Sequence, residues 1–490
     1  MSFIEKQRQT AKNSDIYWKK QAERIAWFKP PTKTLSTNTP DWHDWFADGE
    51  LNSSYLALDY HIEQGRGEQV ALIYDSPVTN TKQTFTYLEL TELVAKFADV
   101  LQKQQIEKGD RVLIYMPMIP QAAIAMLACA RIGAIHSVVF GGFAAKELAV
   151  RINDAEPKVI VSASCGIEIE KVIPYKPLLD QAIATANHKP SSCIVYQREQ
   201  FTADMIVGRD YNWQTLIQGA KAIAPVPLKS TDPLYILYTS GTTGKPKGVV
   251  RDNGGHAVAM LYSMKHVYGM KVGDTFWAAS DVGWVVGHSY IVYAPLMAGC
   301  STILYEGKPI KTPDAGAFWR VCAEYQVNAL FSAPTAFRAI AKEDPDGALM
   351  HNYDLSQLKR LYLAGERLDP ATYHWLKEKT HLPVIDHWWQ TETGWAIAST
   401  PFTDDRCNEL MATKAGSAGF PVPGFNVEIL DAYGKRLPAN QQGTVAIKLP
   451  MPPGCLACLL YTLYASYQAR RLEPRVSRLE AKKEEQKKGC

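Results

Sequence analysis

Apolar, strand-like runs alternate with helical segments over most of this chain, and that alternation limits the possible folds more than any other feature. The strand-like runs between residues 70 and 230 include Ala71–Tyr74, Arg111–Tyr115, His136–Phe140 and Val159–Val161. Helical segments such as Leu88–Gln105 and Gln121–Ile132 separate them. Parallel strands are joined by helical crossovers, so the pattern predicts an α/β fold with parallel sheets covered by helices.

The same alternation returns in the second half of the chain and then changes. Strand-like runs between residues 231 and 400 include Thr275–Ala279, Thr302–Tyr305, Ala329–Phe331 and Arg360–Leu363. From about residue 411 the runs Val427–Leu430 and Gly443–Lys448 flank the turn Asp431–Gly434. That spacing predicts antiparallel strands of a small barrel.

These changes of pattern predict several regions, as expected for 490 residues, a length too great for one simple core. The predicted regions are an N-terminal wrap at 1–60, a first α/β subdomain at 61–230, a second at 231–410, a β-barrel subdomain at 411–456 and a basic tail at 457–490.

Composition is that of an ordinary globular protein, with 46% hydrophobic and 21% charged residues. The net charge of +3 is concentrated in the tail, which holds eight Lys or Arg and four Asp or Glu. The rest of the chain is close to neutral, so we expect no general attraction for nucleic acid.

Neither a membrane segment nor a disulfide framework is predicted. The longest apolar region, Val112–Phe140, is interrupted by prolines and by Arg131, and therefore predicts a buried strand and helix. Nine cysteines lie scattered, and the pair Cys455 and Cys458 has no second pair at zinc-like spacing. We therefore expect free thiols and a cytoplasmic location.

The stretch Tyr238–Gly248 carries the most chemistry, and it follows the strand-like run Pro233–Tyr238. Its glycines, Gly241, Gly244 and Gly248, let the backbone turn sharply and approach a ligand closely. Hydroxyls and backbone N–H groups can then converge on phosphate oxygens, and lysines add positive charge. The hydroxyl and lysine residues are Ser240, Thr242, Thr243, Lys245 and Lys247. The pattern predicts a grip on the β- and γ-phosphates of a nucleotide.

This loop differs from a Walker A loop, because Gly244 and Lys245 are followed by Pro246 and not by Ser or Thr. A surface turn with incidental hydroxyls is the alternative interpretation. The strong bias of the whole stretch toward Gly, Thr and Lys favours the phosphate loop.

Tyr238–Gly248 resembles the phosphate loop of the adenylate-forming superfamily, which includes acyl-CoA synthetases, luciferases and peptide-synthetase adenylation domains. Ser280–Tyr290, Tyr362–Arg367 and Asp386–Gly394 are similar to segments of the short-chain acyl-CoA synthetases, and closer to the propionyl-CoA than to the acetyl-CoA synthetases. The resemblance covers residues from about 10 to 456. It implies the superfamily's large domain, with two helix-covered β-sheet subdomains and a small distorted β-barrel.

The resemblance also implies ATP, Mg²⁺ and coenzyme A. In the family reaction a carboxylate displaces pyrophosphate from ATP to give an acyl-adenylate, and the thiol of coenzyme A then displaces AMP. Negative charge gathers around the phosphates, so positive or hydrogen-bonding groups must already be in place. By resemblance, the loop from Thr239 to Lys247 holds the pyrophosphate end.

Further roles follow from the same resemblance. Glu392 resembles the magnesium-binding glutamate and Thr391 the residue that contacts the α-phosphate; with Lys245 they form the expected catalytic set. The residues that flank the adenine are Gly365, Glu366, Arg367, Asp386, His387 and Trp388. A lone Glu is more often an exposed acid in a turn, but the matched segment around Glu392 favours the metal role.

The size of the acyl pocket is predicted from a few positions. Trp389 resembles the tryptophan that closes the short-chain pocket, and Trp284, Val285 and Val286 belong to its wall. Ala364 stands where acetate enzymes usually have valine, which leaves room for about one more methylene, worth roughly 1–3 kcal/mol in discrimination. Propionate is therefore expected over acetate, although each residue alone could equally be a core residue.

Two features resemble coenzyme A contacts. Phe140, Gly141 and Gly142 resemble a segment that lies against the nucleotide end of the cofactor, and Lys171 stands where related enzymes often have a phosphate-binding arginine. His288 is expected to be structural, because a carboxylate substrate is already ionised at neutral pH and needs no base.

Three family elements have no match in the sequence: the Thr-Gly-Asp segment for the ribose, the hinge with its arginine, and the C-terminal loop that carries the adenylation lysine. From this we expect a truncated or frame-disrupted synthetase that turns over slowly or not at all. The open alternatives are an acetyl-CoA or broad short-chain synthetase, and a non-catalytic nucleotide-binding or interaction module. The sequence does not predict an oligomeric state.

Overall fold

The computed structural model describes residues 2–39, 42–239, 246–404 and 406–456. The tip of the glycine-rich loop, residues 240–245, and the tail predicted at 457–490 lie outside the described residues.

Local caps begin or end several of the described helices. The described α-helices, α1 to α14 in chain order, are Phe3–Lys12, Ser14–Ala22, Ser53–Ala57, Asp59–Glu63, Tyr87–Lys103, Pro120–Ile132, Ala145–Ala155, Tyr175–Thr185, Trp213–Gln218, Gly254–His266, Ala294–Met297, Ala317–Glu324, Pro334–Glu343 and Pro370–Thr380. A π-helical segment, Gly287–Tyr293, leads into α11, and Met350–Asn352 forms a 3₁₀ turn. Thr86 and Glu89 form a capping box at the start of α5, and Gly133 ends α6 in the left-handed conformation.

The strand-like apolar runs of the sequence lie in strands of the structure. The described strands, β1 to β24 in chain order, are Leu35–Thr39, Trp42–Trp45, Glu50–Leu51, Val70–Ser76, Thr81–Thr86, Arg111–Tyr115, Ile135–Val138, Val159–Ala163, Cys165–Glu168, Lys171–Pro174, Ser192–Tyr196, Asp210–Asn212, Leu228–Lys229, Pro233–Thr239, Lys247–Asp252, Thr275–Ala278, Ser301–Tyr305, Val327–Ser332, Arg360–Leu363, Val384–Asp386, Ala398–Ser399, Phe420–Pro421, Val427–Leu430 and Thr444–Ile447.

Two seven-stranded sheets form the body of the molecule. The first has the order β12-β11-β8-β6-β7-β14-β15 and the second the order β20-β19-β18-β16-β17-β4-β5. Every neighbouring pair is parallel except one edge pair in each sheet, β14 with β15 and β4 with β5. The predicted α/β fold, with parallel sheets between helices, is confirmed.

The two sheets exchange strands across the predicted boundary near residue 230. Strands β4 and β5 join the second sheet, where Leu72 pairs with Thr302, and strands β14 and β15 join the first, where Tyr235 pairs with His136. Strand pairing is a long-range choice that the periodicity of one segment does not reveal. The subdomain boundaries themselves stay a prediction.

The N-terminal segment packs against the far end of the described chain. Trp18 is fully buried, with its ring edge-on to Tyr262 at 4.9 Å and to Trp395 at 6.1 Å. The indole N–H of Trp45 donates to the Met451 carbonyl at 3.1 Å. These aromatic contacts join the first fifty residues to the body of the molecule.

The predicted antiparallel strands after residue 411 are confirmed, since β23 and β24 pair with Val427 opposite Ile447. Another short antiparallel pair, β21 with β22, precedes them. Among the described residues, these are separate two-stranded sheets, and the closed barrel stays a prediction.

Helix α6, from the longest apolar region, is buried along nearly its whole length, as predicted. None of the helices in the described ranges combines the length and the apolar character needed to cross a bilayer. The described cysteines are all free thiols: Cys129, Cys165, Cys193, Cys300, Cys322, Cys407 and Cys455.

Candidate active site

The glycine-rich stretch connects the two strands of one hairpin. Strands β14 and β15 pair from Tyr235 opposite Arg251 up to Thr239 opposite Lys247, with both residues of the last pair half-buried. Thr239 and Lys247 are therefore at the ends of a loop of seven residues, 240–246. The other predicted phosphate-loop residues lie outside the described residues: Ser240, Gly241, Thr242, Thr243, Gly244 and Lys245.

The same hairpin holds the turn that contains Glu392. The buried guanidinium of Arg251 donates to the Thr391 carbonyl at 2.5 Å and to the Glu392 carbonyl at 3.0 Å. Thr391 and Glu392 themselves are half-buried. The hairpin that carries the glycine-rich loop is thus bonded to the turn that carries the predicted metal residue.

Other elements fix this turn as well. The Ser289 hydroxyl, from the π-helical segment, donates to the Gly394 carbonyl at 2.8 Å. The backbone N–H of Leu456 donates to the Glu392 carbonyl at 2.9 Å. The Thr393 hydroxyl donates to the Gln390 carbonyl at 3.0 Å. The backbone of the turn is therefore held from three sides.

The carboxylate of Glu392 makes no hydrogen bond or ion pair with any other described residue, although its backbone carbonyl accepts two hydrogen bonds. It is an unused oxygen ligand on a fixed backbone, which suits Mg²⁺. Within the described ranges, no three His, Cys, Asp or Glu side chains come together to hold a metal ion by themselves. A site with one carboxylate fits a magnesium ion that takes its remaining ligands from nucleotide phosphates and water.

The segments predicted to flank the adenine lie side by side. Strands β19 and β20 are parallel and adjacent, with Leu363 opposite Asp386, so the residues that follow them share the carboxyl edge of the sheet. Ligands in open α/β sheets bind at that edge. Burial raises the pKa of Asp386 to about 6, while the positive charge of Arg367 lowers it. The effect of the Arg367 charge on the pKa of Asp386 agrees with a short distance between the two segments.

The first of these segments is an exposed turn whose acid is already bound. Gly365 has a positive φ of 95°, and Gly365, Glu366 and Arg367 are exposed. Glu366 accepts hydrogen bonds from the Thr335 backbone and hydroxyl at the start of α13, and it pairs with Arg338 at 2.7 Å. The carboxylate of Glu366 therefore contacts its own protein, and the place of this turn beside adenine stays a prediction.

His387 is buried, whereas its neighbour Trp388 is half-buried. The Nδ1–H of His387 donates to the Leu363 carbonyl at 2.7 Å, so its Nε2 accepts from the Tyr268 hydroxyl at 3.0 Å. Both ring nitrogens are used, and burial lowers the pKa of His387 to about 4. The imidazole is a neutral support beneath the site.

Residues of the predicted acyl pocket belong to, or pack against, one large hydrophobic cluster. Trp389 is half-buried, with its ring 5.5 Å from Tyr290 and 6.1 Å from Phe331. Val285 and Val286 are half-buried against the same hydrophobic cluster, which contains the buried Ala364. The roles of these residues in substrate binding stay a prediction.

Trp284, predicted for the wall of the acyl pocket, lies at the edge of a cavity, and its role in that pocket stays a prediction. It is 46% exposed, packs on Phe140 at 5.5 Å, and lines a cavity of about 330 Å³ together with Phe140, Gly141 and Gly142. Trp284 makes no ring contact with Trp389 among the described residues. The structure thus groups Trp284 with the predicted coenzyme A residues.

Glycine is required at the floor of this cavity, because a Cβ on Gly141 would overlap the Tyr175 hydroxyl. Lys171 does not line the cavity. It is exposed and lies in β10, where Ile173 does line the cavity, as does Glu168 of β9. The structure therefore brings the Phe140 segment to the cavity but leaves Lys171 outside its wall.

Sequence reasoning missed two residues of the site. One is Arg251. The sequence signal for it was its position, since a cation directly follows the apolar pair Val249 and Val250 in a strand-like run. The other is Asp281, which lines the cavity and whose pKa burial raises to about 6. His288 is buried, donates to the Trp284 carbonyl at 3.0 Å and has a pKa lowered by burial to about 4, in agreement with the expected structural role.

Comparison with known families gives two matches. Residues 59–452 match the family described as AMP-binding enzyme, and residues 5–57 match the family described as acetyl-coenzyme A synthetase N-terminus.

Individual relatives are similar over nearly the whole chain. An uncharacterized protein of Pseudomonas aeruginosa is 55% identical, over 94% of this chain and 72% of its own length. The acyl-CoA synthetase short-chain family member 3, mitochondrial, of Rattus norvegicus is 53% identical, over 90% of this chain and 65% of its own. The propionate–CoA ligase of Salmonella typhimurium is 47% identical, over 93% and 72%. The chain thus spans about two thirds of the length of the curated relatives it matches.

Proposed function

The chain belongs to the AMP-binding enzyme family, and from that premise we propose that it is a ligase that activates a short-chain carboxylate with ATP. In the first half-reaction a carboxylate oxygen bonds to the α-phosphorus, and the bond to pyrophosphate breaks. In the second, the sulfur of coenzyme A bonds to the acyl carbon, AMP leaves, and the thiol proton passes to solvent. The names of the rat and Salmonella relatives support this assignment.

One observation carries the proposal. The hairpin that bears the glycine-rich loop also bears Arg251, and Arg251 binds the backbone of Thr391 and Glu392. The hairpin that carries a loop suited to phosphate is thereby joined to the turn that carries a carboxylate suited to Mg²⁺.

The residues of this unit would divide the first half-reaction among them. The Thr391 hydroxyl would donate to the α-phosphate, and Lys245 would stabilise the charge of the departing pyrophosphate. Glu392 would hold Mg²⁺, which when bound neutralises phosphate charge. Preorganised groups of this kind act on charge as it develops, and they need no rearrangement during the reaction.

The edge of the second sheet would seat the adenosine. Gly365 and Arg367 follow β19, and Asp386 and Trp388 end or follow β20, on two adjacent parallel strands. The buried His387 keeps the two segments together, since it donates to the carbonyl of Leu363 at the end of β19. Its support would set the width of the adenine slot.

We further propose propionate as the preferred acid. Trp389 closes the slot, and the small Ala364 beside the core leaves room for one methylene beyond acetate. One methylene in such a pocket is worth roughly 1–3 kcal/mol, so the preference would be about tenfold or more. Coenzyme A would approach through the cavity lined by Phe140, Gly141 and Trp284.

A reducing compartment, such as the cytoplasm, suits the described cysteines, which are free thiols. The printed name of the rat relative places that protein in mitochondria. Small molecules (a carboxylate, ATP and coenzyme A) are the proposed partners.

The test is direct. Pyrophosphate release and thioester formation are measured on this chain with acetate, propionate and butyrate, beside a Glu392→Gln control. We expect slow, carboxylate-dependent pyrophosphate release that is fastest with propionate and is lost in the control. Fastest release with acetate would replace the propionate assignment. Absence of both carboxylate-dependent release and ATP binding would contradict the proposed function.

A further inference from the structure

Arg251 is among the largest fully buried side chains of the described molecule, at 1% exposure. It lies in β15, five positions from the carboxyl end of the glycine-rich loop at Pro246. A buried charge needs compensation, which ordinarily comes from a carboxylate. Arg251 has no ion pair with any residue in the described ranges, so its environment calls for another explanation.

Backbone carbonyls take the place of the carboxylate. The two terminal nitrogens of the guanidinium donate to the carbonyls of Thr391, Glu392 and Gly454, and Nε donates to the Tyr235 hydroxyl at 3.3 Å. A planar fork can reach three carbonyls in fixed directions, which a point charge such as an ammonium cannot do equally well. The arrangement is therefore specific to arginine.

The surroundings are shaped around the guanidinium. Gly394 has a φ of 74°, and a Cβ there would lie 2.9 Å from the Arg251 Cζ. Burial, and then the charge of Arg251, lowers the pKa of His256 and of His288, so these nearby imidazoles remain neutral. The adjacent Asp252 is half-buried; burial raises its pKa to about 6, and the charge of Arg251 opposes this shift.

We propose that Arg251 is a positioning residue: it fixes the backbone of Thr391 to Gly394 against the phosphate-loop hairpin, and so aims the Glu392 carboxylate. Arg251 itself touches no reacting atom. The inference rests on the proposed function for the identity of the ligand that Glu392 meets, whereas the positioning is a property of the protein alone.

Two variants and one matched control test this role. Arg251→Met removes the fork and the charge, and Arg251→Lys keeps the charge without the fork. Arg131→Met is the control, because Arg131 is also buried, at 3% exposure. It donates to the Ile223 carbonyl and forms an ion pair with Asp59, and both partners are far in sequence from residues 390–394. All three are expected to lower the melting temperature, so stability alone does not separate them.

Amide hydrogen exchange of the nucleotide-free protein is the first measurement. Arg251→Met should raise exchange in peptides that cover residues 390–394 by roughly tenfold, because the turn loses the contacts that hold it closed. Arg251→Lys should give an intermediate increase. Arg131→Met should leave these peptides unchanged.

Calorimetric titration with ATP, with and without Mg²⁺, is the second measurement. Arg251→Met should reduce the Mg²⁺-dependent gain in ATP affinity by roughly tenfold and leave magnesium-free binding unchanged. A misplaced Glu392 carboxylate weakens the binding of Mg²⁺, whereas ATP binding without Mg²⁺ does not depend on it. Arg131→Met should keep the gain.

The proposal is overturned if Arg251→Met matches Arg131→Met in both exchange and Mg²⁺ dependence. If the unaltered protein shows no Mg²⁺-dependent ATP binding, the proposed function fails instead, and the exchange of residues 390–394 alone decides whether Arg251 positions the turn.

Discussion

Two turns follow adjacent strands of the second sheet, and each contains one glutamate. The turn after β20 contains Glu392, and the turn after β19 contains Glu366. At Glu392 the backbone is held by Arg251, Ser289 and Leu456, while the carboxylate has no described partner. At Glu366 the backbone is exposed, while the carboxylate is bound by Thr335 and Arg338. The two turns therefore use their polar groups in opposite ways.

This contrast separates a side chain that serves the fold from one that is proposed to bind a ligand. A carboxylate with all its hydrogen bonds made within the protein contributes to structure, as Glu366 does at the start of α13. A carboxylate that makes no hydrogen bond within the protein contributes little to stability. When buried donors also fix its backbone, the carboxylate is preorganised to bind a ligand.

Glu392→Gln should produce the largest effect. Loss of the metal-binding charge should slow pyrophosphate release by roughly 10³-fold, about 4 kcal/mol in the transition state. The melting temperature should stay nearly unchanged, because no described contact depends on the carboxylate. The measurement pairs a pyrophosphate assay with a thermal scan, and a large fall in melting temperature would place Glu392 with Glu366.

Acid should loosen the strand ends that lead into the two turns, because His387 follows β20 and donates to the carbonyl of Leu363 at the end of β19. Its pKa is about 4 in the folded protein against 6.5 when unfolded, so the unfolded chain binds a proton that the folded chain does not between these values. Stability from this group is complete above pH 6.5 and is lost as pH falls toward 4, by about 3 kcal/mol from the pKa difference.

Chemical denaturation of the unaltered protein and of His387→Gln, at several pH values from 7 to 4, checks this expectation. The raised pKa of Asp386 has the opposite sign, since a carboxyl protonated more readily when folded gains stability as pH falls. The difference between the two proteins isolates His387. His387→Gln should be less stable than the unaltered protein at pH 7, and its free energy of unfolding should fall less as the pH is lowered. Parallel curves of stability against pH for the two proteins would refute this expectation.

Trp389→Gly extends the comparison to the aromatic side of the site. If Trp389 closes the acyl slot, its removal should shift the preference toward longer acids by roughly tenfold, within the 1–3 kcal/mol expected for added methylenes. Its contacts with Tyr290 and Phe331 mean some loss of stability as well. The kcat/KM values for propionate, butyrate and valerate decide, and an unchanged preference for short acids would remove Trp389 from the pocket.

Glu366→Gln should give the smallest effect. Its carboxylate is 37% exposed, so solvent screens the pair with Arg338, and about 0.5 kcal/mol of stability should be lost. ATP binding should remain as it was. A loss of ATP affinity comparable to that of Glu392→Gln would show that the two turns are more alike than their contacts indicate.

Much of the fold follows from local sequence. The run Arg111–Tyr115 is a strand as predicted, and α6 and its neighbour α5 begin within a residue of their predicted starts. These boundaries depend on apolar periodicity and caps, which a short window contains. The exchange of β4 and β5 for β14 and β15 between sheets depends on distant partners, which no window contains.

The site shows the same division. Glu392 and the glycine-rich loop were found because their segments have recognisable residue patterns. The placement of Trp284 beside Phe140 brings together residues that are more than 140 positions apart in the sequence, which no local pattern reveals. Arg251 was missed because its role arises from carbonyls that lie 140 or more positions away in the sequence.

The central claim is that the phosphate-loop hairpin and Glu392 together seat a magnesium–nucleotide complex. The most direct test is the Mg²⁺ dependence of ATP affinity, measured by calorimetry on the unaltered protein, Glu392→Gln and Glu366→Gln. Mg²⁺ should strengthen ATP binding in the unaltered protein and in Glu366→Gln by roughly tenfold, and should have almost no effect in Glu392→Gln. Equal Mg²⁺ dependence in all three proteins would contradict the account.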